Sequence, residues 1–241
     1  MPHPGSRKQH LCRRYLTLLV LAAGLVIGQR AYARTLPPAP AYNPPQTQNR
    51  ETAILSGGCF WGMQGVFEHV KGVIWVAAGY TGGSAATAHY ADVSTGRTGH
   101  AESIKIRFDP RRVSYGTLLR IYVSITTDPT TLNRQGPDIG PQYRSQIWTT
   151  SPAQQRIARL YLGQLTQAHS FAQPIVTKIT PAMPFYLAER HHQDFMVRHP
   201  DDPYILINDQ PKRHALARDF PALYRATPVL LPPALVHESP P

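Results

Sequence analysis

The residues best suited to chemistry in this 241-residue chain are Gly57-Gly58-Cys59-Phe60-Trp61-Gly62. A thiol preceded by two glycines and followed by two aromatics joins a nucleophile to open backbone and an apolar wall. The preceding Thr52-Ala53-Ile54-Leu55 reads as a buried strand. The residues that follow place Met63, Val66, Phe67 and Val70 at i, i+3, i+4 and i+7, one face of a helix. Cys59 is thus expected at a strand-to-helix turn, where unpaired N–H groups and the helix dipole favour thiolate and lower its pKa from about 8.5. Gly57 and Gly58 would leave room for a substrate beside the sulfur, and Phe60 and Trp61 would line an apolar pocket. Free cysteines are also often buried and inert, so the hexapeptide alone leaves a reactive and a structural thiol both open.

The thiol is expected to be isolated. The chain has two cysteines, Cys12 and Cys59. Residues 1–33 read as a secretory signal peptide: Arg7, Lys8, Arg13 and Arg14 precede an apolar run over 15–27, and Ala31-Tyr32-Ala33 supplies a cleavage pattern. An uncleaved anchor is the competing reading, but the run is shorter than the roughly 20 residues a membrane span needs. Cleavage would remove Cys12, export the protein to a periplasm or beyond, and leave no stable membrane insertion. Cys59 could then form no internal disulfide, and its oxidation would have to be reversed by another molecule.

The formal net charge of +11 points to no nucleic acid. Five of the 25 basic residues lie in the signal, which has no acid, so the remainder carries 20 basic and 14 acidic residues, or +6. These are scattered, with no basic stripe or reader motif. The 42% hydrophobic content supports one sizeable core. Residues 34–50, rich in Pro and Gln, read as an extended linker, 51–225 as one domain, and the Pro-rich residues 226–241 as a flexible tail.

Within the domain, Gly72 ends the first helix and 73–78 forms a second strand. Ile104, Ile106 and Phe108 alternate with Lys105 and Arg107, a half-buried strand over 103–109 stopped by Pro110. Ser114 caps a helix carrying Leu118, Leu119 and Tyr122. A loop over 126–142, too long to be a mere connection, follows. Residues 144–150 form a strand, and Ser151-Pro152-Ala153-Gln154 opens a helix to about 168. A strand over 175–179 and a helix over 188–197 complete an α+β domain, with helices packed on a mixed sheet. By pattern alone Glu102 reads as a surface carboxylate at a strand start, Tyr90 and Tyr143 as half-buried tyrosines, and Asp138 as a turn residue. His191 and His192 are adjacent, share no helix face and lack a His-Glu-x-x-His frame, so no metal is expected.

Taken together the motifs resemble a known family. Gly58-Cys59-Phe60-Trp61-Gly62 is similar to the signature of peptide methionine sulfoxide reductase A. Gly79-Tyr80-Thr81-Gly82-Gly83, Tyr90, Thr98-Gly99-His100-Ala101-Glu102, Asp128-Pro129-Thr130, and Arg134-Gln135-Gly136-Pro137-Asp138-Ile139-Gly140-Pro141-Gln142-Tyr143-Arg144-Ser145 follow in the family's order. Phe185-Tyr186, Ala188-Glu189 and His192-Gln193-Asp194-Phe195 continue it to about residue 224. The resemblance implies a two-layer α/β sandwich with a ferredoxin-like core, and a peptide-methionine (S)-S-oxide reductase that repairs oxidised proteins. It implies Cys59 as nucleophile, Glu102 as the acid that protonates the sulfoxide oxygen, Tyr90 and Tyr143 as its hydrogen-bond donors, and Asp138 as an orienting residue. Phe60 and Trp61 would hold the substrate methyl group. It implies no bound cofactor and no metal. The partners would be free methionine sulfoxide, proteins containing it, and a thioredoxin-like protein or small thiol as reductant.

The chain departs from the family at Gln64, commonly Glu, at Thr127, often His, and at Ser94, which is Cys in some members. It has no cysteine after Cys59, where many members carry resolving cysteines. It therefore resembles the one-cysteine type. Two other readings use the same residues: a thiol hydrolase or acyltransferase with His100 or His192 as base, and a non-catalytic binder of oxidised peptides.

Overall fold

The computed structural model describes residues 36–238, so the expected signal peptide and Cys12 lie outside the described residues. In chain order the elements are β1 (Glu51–Ser56), α1 (Phe60–Glu68), β2 (Val73–Thr81), α2 (Tyr90–Val93), β3 (Ala101–Phe108), and α3 (Tyr115–Ile121), which widens into a π-type turn (Tyr122–Thr126). Next come the short pair β4 (Arg134–Gln135) and β5 (Asp138–Ile139), then β6 (Gln146–Thr149), α4 (Pro152–Gln167), β7 (Lys178–Pro181) and β8 (Phe185–Leu187). The chain ends with α5 (Phe195–Arg198), a second π-type turn (Ile205–Asp209), α6 (Gln210–Asp219) and α7 (Pro233–Glu238).

Among the described residues the main sheet has six strands in the order β7-β6-β1-β3-β2-β8. All neighbours are antiparallel except β6 and β7. Its inner strands β6-β1-β3-β2, linked through α1 and α3, make the β-α-β-β-α-β arrangement of ferredoxin-like folds. Period-two alternation decides the layers. Ala53 and Leu55 of β1, Val76, Ala78 and Tyr80 of β2, and Ile104, Ile106 and Phe108 of β3 join one core cluster. Phe60, Met63, Val66 and Phe67 of α1, with Ile157, Ala158, Tyr161 and Leu165 of α4, cover them. Each of the larger aliphatic and aromatic side chains among them contributes roughly 1.5–3 kcal/mol by leaving water. The opposite face holds only a small cluster, Ile54, Ala101 and Trp148, against which Phe185 packs.

Both expected N-caps form. Ser114 Oγ accepts from Thr117 N at 3.1 Å, and Ser151 Oγ from Gln154 N at 3.2 Å. The Gln154 amide donates to Thr52 O at 2.9 Å and so ties α4 to β1.

Three segments differ from expectation. Residues 36–43 are extended, but they are docked rather than a free tether. Arg120 Nε donates to Pro37 O, Tyr161 OH to Pro38 O and Gln164 Nε2 to Ala39 O, at 2.8, 3.0 and 2.9 Å. Prolines leave carbonyls free to accept, and α3 and α4 present the donors. The tail beyond residue 225 is likewise held. Val229 N donates to Glu68 O at 3.0 Å, and Leu231, buried, donates its N–H to Asp194 Oδ1 at 3.1 Å.

The helix expected over 188–197 is broken in two. Gln193 is fully buried, and its amide accepts from Ala78 N (3.0 Å) and donates to Ala78 O and Ala188 O (both 2.9 Å). It supplies a backbone-like pairing where β8 ends, and a continuous helix could not place it there. Asp194 then turns the chain at φ +54°. Gln193→Ala removes three buried hydrogen bonds and orphans the Ala78 N–H, so urea unfolding should show a loss of about 3 kcal/mol.

Candidate active site

The turn from β1 into α1 is clamped from outside. Tyr122 OH donates to Ser56 O at 2.6 Å, and Thr127 Oγ1 to Gly57 O at 3.0 Å. Gly58 has φ +102°, a conformation that favours glycine. A Cβ on Gly57 would strike the Thr127 side chain, and one on Gly58 would strike Gln135. The two glycines therefore admit neighbouring protein, not substrate, which corrects the sequence reading. Cys59 follows as the N-cap of α1 and is almost wholly buried.

Glu102 meets this helix end from below. It is the second residue of β3, in phase with Ile104, Ile106 and Phe108, and so faces the core. Its Oε2 accepts the Phe60 N–H at 3.0 Å. Burial pushes its pKa up to about 8; the Phe60 N–H opposes this and Asp138 adds to it. The carboxyl is thus protonated at neutral pH. The Cys59 pKa is also raised, first by burial, then by Glu102 and Asp209, with the Trp61 N–H pulling the other way. The lowered pKa expected at a helix N-terminus is not found, because desolvation outweighs the Trp61 N–H.

The other expected site residues converge on the same point. Tyr90 opens α2, and Tyr143 closes the short turn Pro141–Tyr143. Both hydroxyls have pKa values raised by burial and then by Glu102 and Cys59, which places them within electrostatic reach of that pair. Asp138 of β5 accepts from Tyr204 OH at 2.6 Å. Phe60 is buried against the rings of Tyr80 and His192, with centroids 5.7 and 5.1 Å away. Trp61 stacks on Phe195 at 3.8 Å, and its Nε1 donates to His192 Nδ1 at 3.1 Å.

A buried thiol, a carboxylic acid, two tyrosines and an aromatic wall suit the reduction of a group with one polar oxygen and one apolar substituent. A family model described as peptide methionine sulfoxide reductase matches residues 51–222. The chain belongs to the peptide methionine sulfoxide reductase family. It is 54% identical over 181 residues to peptide methionine sulfoxide reductase MsrA 2 of Mesorhizobium japonicum, covering 75% of this chain and 93% of that one. It is 41% identical over 175 residues to the MsrA of Thermus thermophilus, covering 73% and 98%. Among solved structures it is similar to methionine sulfoxide reductase A of Corynebacterium diphtheriae, with TM-score 0.55, 30% identity and coverage of 68% and 85%. Reduced Mxr1 from Saccharomyces cerevisiae gives TM-score 0.57, 26% identity and coverage of 67% and 92%. The protein is an oxidoreductase that reduces methionine sulfoxide, a repair reaction.

Two of the departures from the methionine sulfoxide reductase pattern, Gln64 and Thr127, are built into this chain. Gln64 is buried; its Nε2 donates to Val76 O at 3.1 Å and its Oε1 accepts from Asp194 N at 3.0 Å. Thr127 clamps Gly57, as above. Sequence reasoning assigned no role to Tyr204, Glu189 or Asp209. Glu189 accepts from Tyr80 OH and Tyr90 N, each at 2.8 Å. Burial pushes His192 down to about 4, so it stays neutral and accepts from Trp61. No cluster of three His, Cys, Asp or Glu suited to a metal occurs among the described residues.

Asp209 is fully buried and pairs with Lys212 Nζ at 2.9 Å. It packs so closely on Gly62 of α1 that a Cβ there would strike its carboxylate. In sequence the two charges, three apart, look like an ordinary surface pair. Asp209→Asn should lower the Cys59 pKa and speed alkylation by iodoacetamide at pH 8 about three- to tenfold.

Proposed function

We propose that this chain reduces methionine S-sulfoxide, free and in proteins, by attack of Cys59 on the sulfoxide sulfur. The observation that carries the proposal is the protonated, buried Glu102 at the helix end that bears the thiol. Cys59 gives up its proton and attacks sulfur, while Glu102 transfers its proton to the sulfoxide oxygen. The S–O bond then breaks as oxygen passes to Cys59. Methionine leaves, Cys59 becomes a sulfenic acid, and the thiol's own proton restores Glu102. Tyr90 and Tyr143 donate hydrogen bonds to the oxygen, Asp138 orients the network, and Phe60 and Trp61 hold the methyl group.

The cycle closes without a second cysteine of the chain. One external thiol condenses with the sulfenic acid, releasing water and forming a mixed disulfide, and a second thiol regenerates Cys59. A thioredoxin-like protein or a small thiol fills this role. Residues 1–33 direct export, so the reaction serves oxidised proteins in a periplasm or outside the cell.

Reduced protein mixed with methionine S-sulfoxide and no added thiol should release about one methionine per Cys59 and leave a dimedone-reactive sulfenic acid. No release, with Cys59 still free, would overturn the proposal. A disulfide within the chain would overturn the one-cysteine cycle. The turnover rate should fall as pH rises through about 8, where Glu102 loses the proton it donates. Glu102→Gln should cost about 10²–10⁴-fold and abolish that limb.

A further inference from the structure

Eight large apolar side chains are exposed among the described residues. Three of them, Leu160, Met183 and Leu230, stand on α4, beyond β7 and in the tail. The other five, Tyr90, Leu132, Ile139, Leu206 and Ile207, all lie on segments that bound the Cys59 site. Leu132, Ile139 and Ile207 are 66%, 68% and 72% exposed. A folded domain scatters such residues singly, so their concentration on the segments around one site calls for a partner.

The placement follows from contacts already described. Ile139 is next to Asp138 on β5, and β5 pairs with β4. Gly140 N donates to Asn133 O at 2.9 Å, closing the small hairpin, so that Leu132 leads into one arm and Ile139 lies on the other. On the opposing segment Tyr204 reaches Asp138 at 2.6 Å, and Leu206 and Ile207 follow within one turn. Ile205, the neighbour of Leu206, is fully buried and anchors the turn. The Asp138–Tyr204 hydrogen bond thus joins two apolar lips. Their backbones are fixed by hydrogen bonds, while Leu132, Ile139, Leu206 and Ile207 are exposed.

The occupant is constrained by where Cys59 lies. Cys59 is 9% exposed, so a methionine sulfoxide side chain must enter from the surface, and the rest of a peptide stays outside. The residues on either side of the oxidised methionine then lie across these lips. We infer that Leu132 and Ile139 on one lip, and Leu206 and Ile207 on the other, form a docking rim for a peptide segment whose oxidised methionine is flanked by apolar residues. The inference rests on the reaction proposed at Cys59. Its substrate class is methionine sulfoxide from sequences that are normally buried and become exposed when a protein is damaged or not yet folded. Contact would bury apolar surface on both sides, and it would favour peptides over the free amino acid.

The test uses single turnovers without reductant on three substrates. The first is N-acetyl-methionine S-sulfoxide. The second is a seven-residue peptide with Val and Leu flanking the S-sulfoxide, and the third is the same peptide with Ser at those places. The protein should favour the apolar peptide over the Ser peptide by about tenfold in kcat/KM, or roughly 1.4 kcal/mol. The double variant Leu132→Ser, Ile207→Ser changes two exposed side chains. It should bring the ratio to within about twofold and leave N-acetyl-methionine S-sulfoxide unchanged. Equal rates on the two peptides in the unaltered protein would overturn the inference. So would a variant that slows all three substrates alike, or one that leaves the ratio of the two peptides unchanged. Failure on N-acetyl-methionine S-sulfoxide in the unaltered protein would instead overturn the reaction proposed at Cys59.

Discussion

The site depends on one buried hydrogen bond, from the first N–H of α1 to the Glu102 carboxyl on β3. It joins the helix that carries Cys59 to the strand beside it, and it sets where an acid can stand relative to the thiol. The donor is one of the N–H groups that every helix leaves unpaired. The acceptor is held by the same alternation that buries Ile104, Ile106 and Phe108. The surrounding clamps serve this geometry: Tyr122 on Ser56, Thr127 on Gly57, and the left-handed Gly58 that lets β4 close in.

The arrangement has an electrostatic cost. An unfolded glutamate titrates near 4.5, whereas Glu102 in the fold titrates near 8. Between those values the folded state holds a proton that the unfolded chain lacks, so this group lowers stability as pH rises from about 4.5 to about 8, and the loss is complete above that. The same burial keeps Cys59 as a thiol at rest. Glu102 and Asp209 both disfavour charge on Cys59, so proton release from the thiol is coupled to the protonation of the acid. The site does not store a thiolate. It stores a proton next to a nucleophile.

Much of this was legible in the residues. The apolar spacing after Cys59 marked α1, and the alternation of 104, 106 and 108 marked β3 and its buried face. Carried two residues further back, that alternation also places Glu102 inside, against its reading as a surface carboxylate. The motif resemblance led to the fold and to the set of residues around Cys59. What stayed hidden depended on tertiary partners. Asp209 and Lys212 look like a surface pair until Gly62 is seen beneath them. Gln193 sits in a helical pattern, and only the unpaired edge at Ala78 explains why the helix breaks there. The raised pKa of Cys59 has no local signal, because the turn's unpaired N–H groups do not register how completely the surrounding protein excludes water. The linker and tail looked loose because proline carries no local pattern for docking, and their partners lie on α3, α4 and the segment around Asp194.

The most direct measurement is a carbon-13 NMR titration of labelled Glu102 in the reduced protein, with Glu102→Gln used for assignment. Its side-chain carboxyl should stay protonated through neutral pH and titrate near 8. A midpoint near 4.5, the ordinary glutamate value, would contradict the proton-storing site and remove the acid from the proposed reaction.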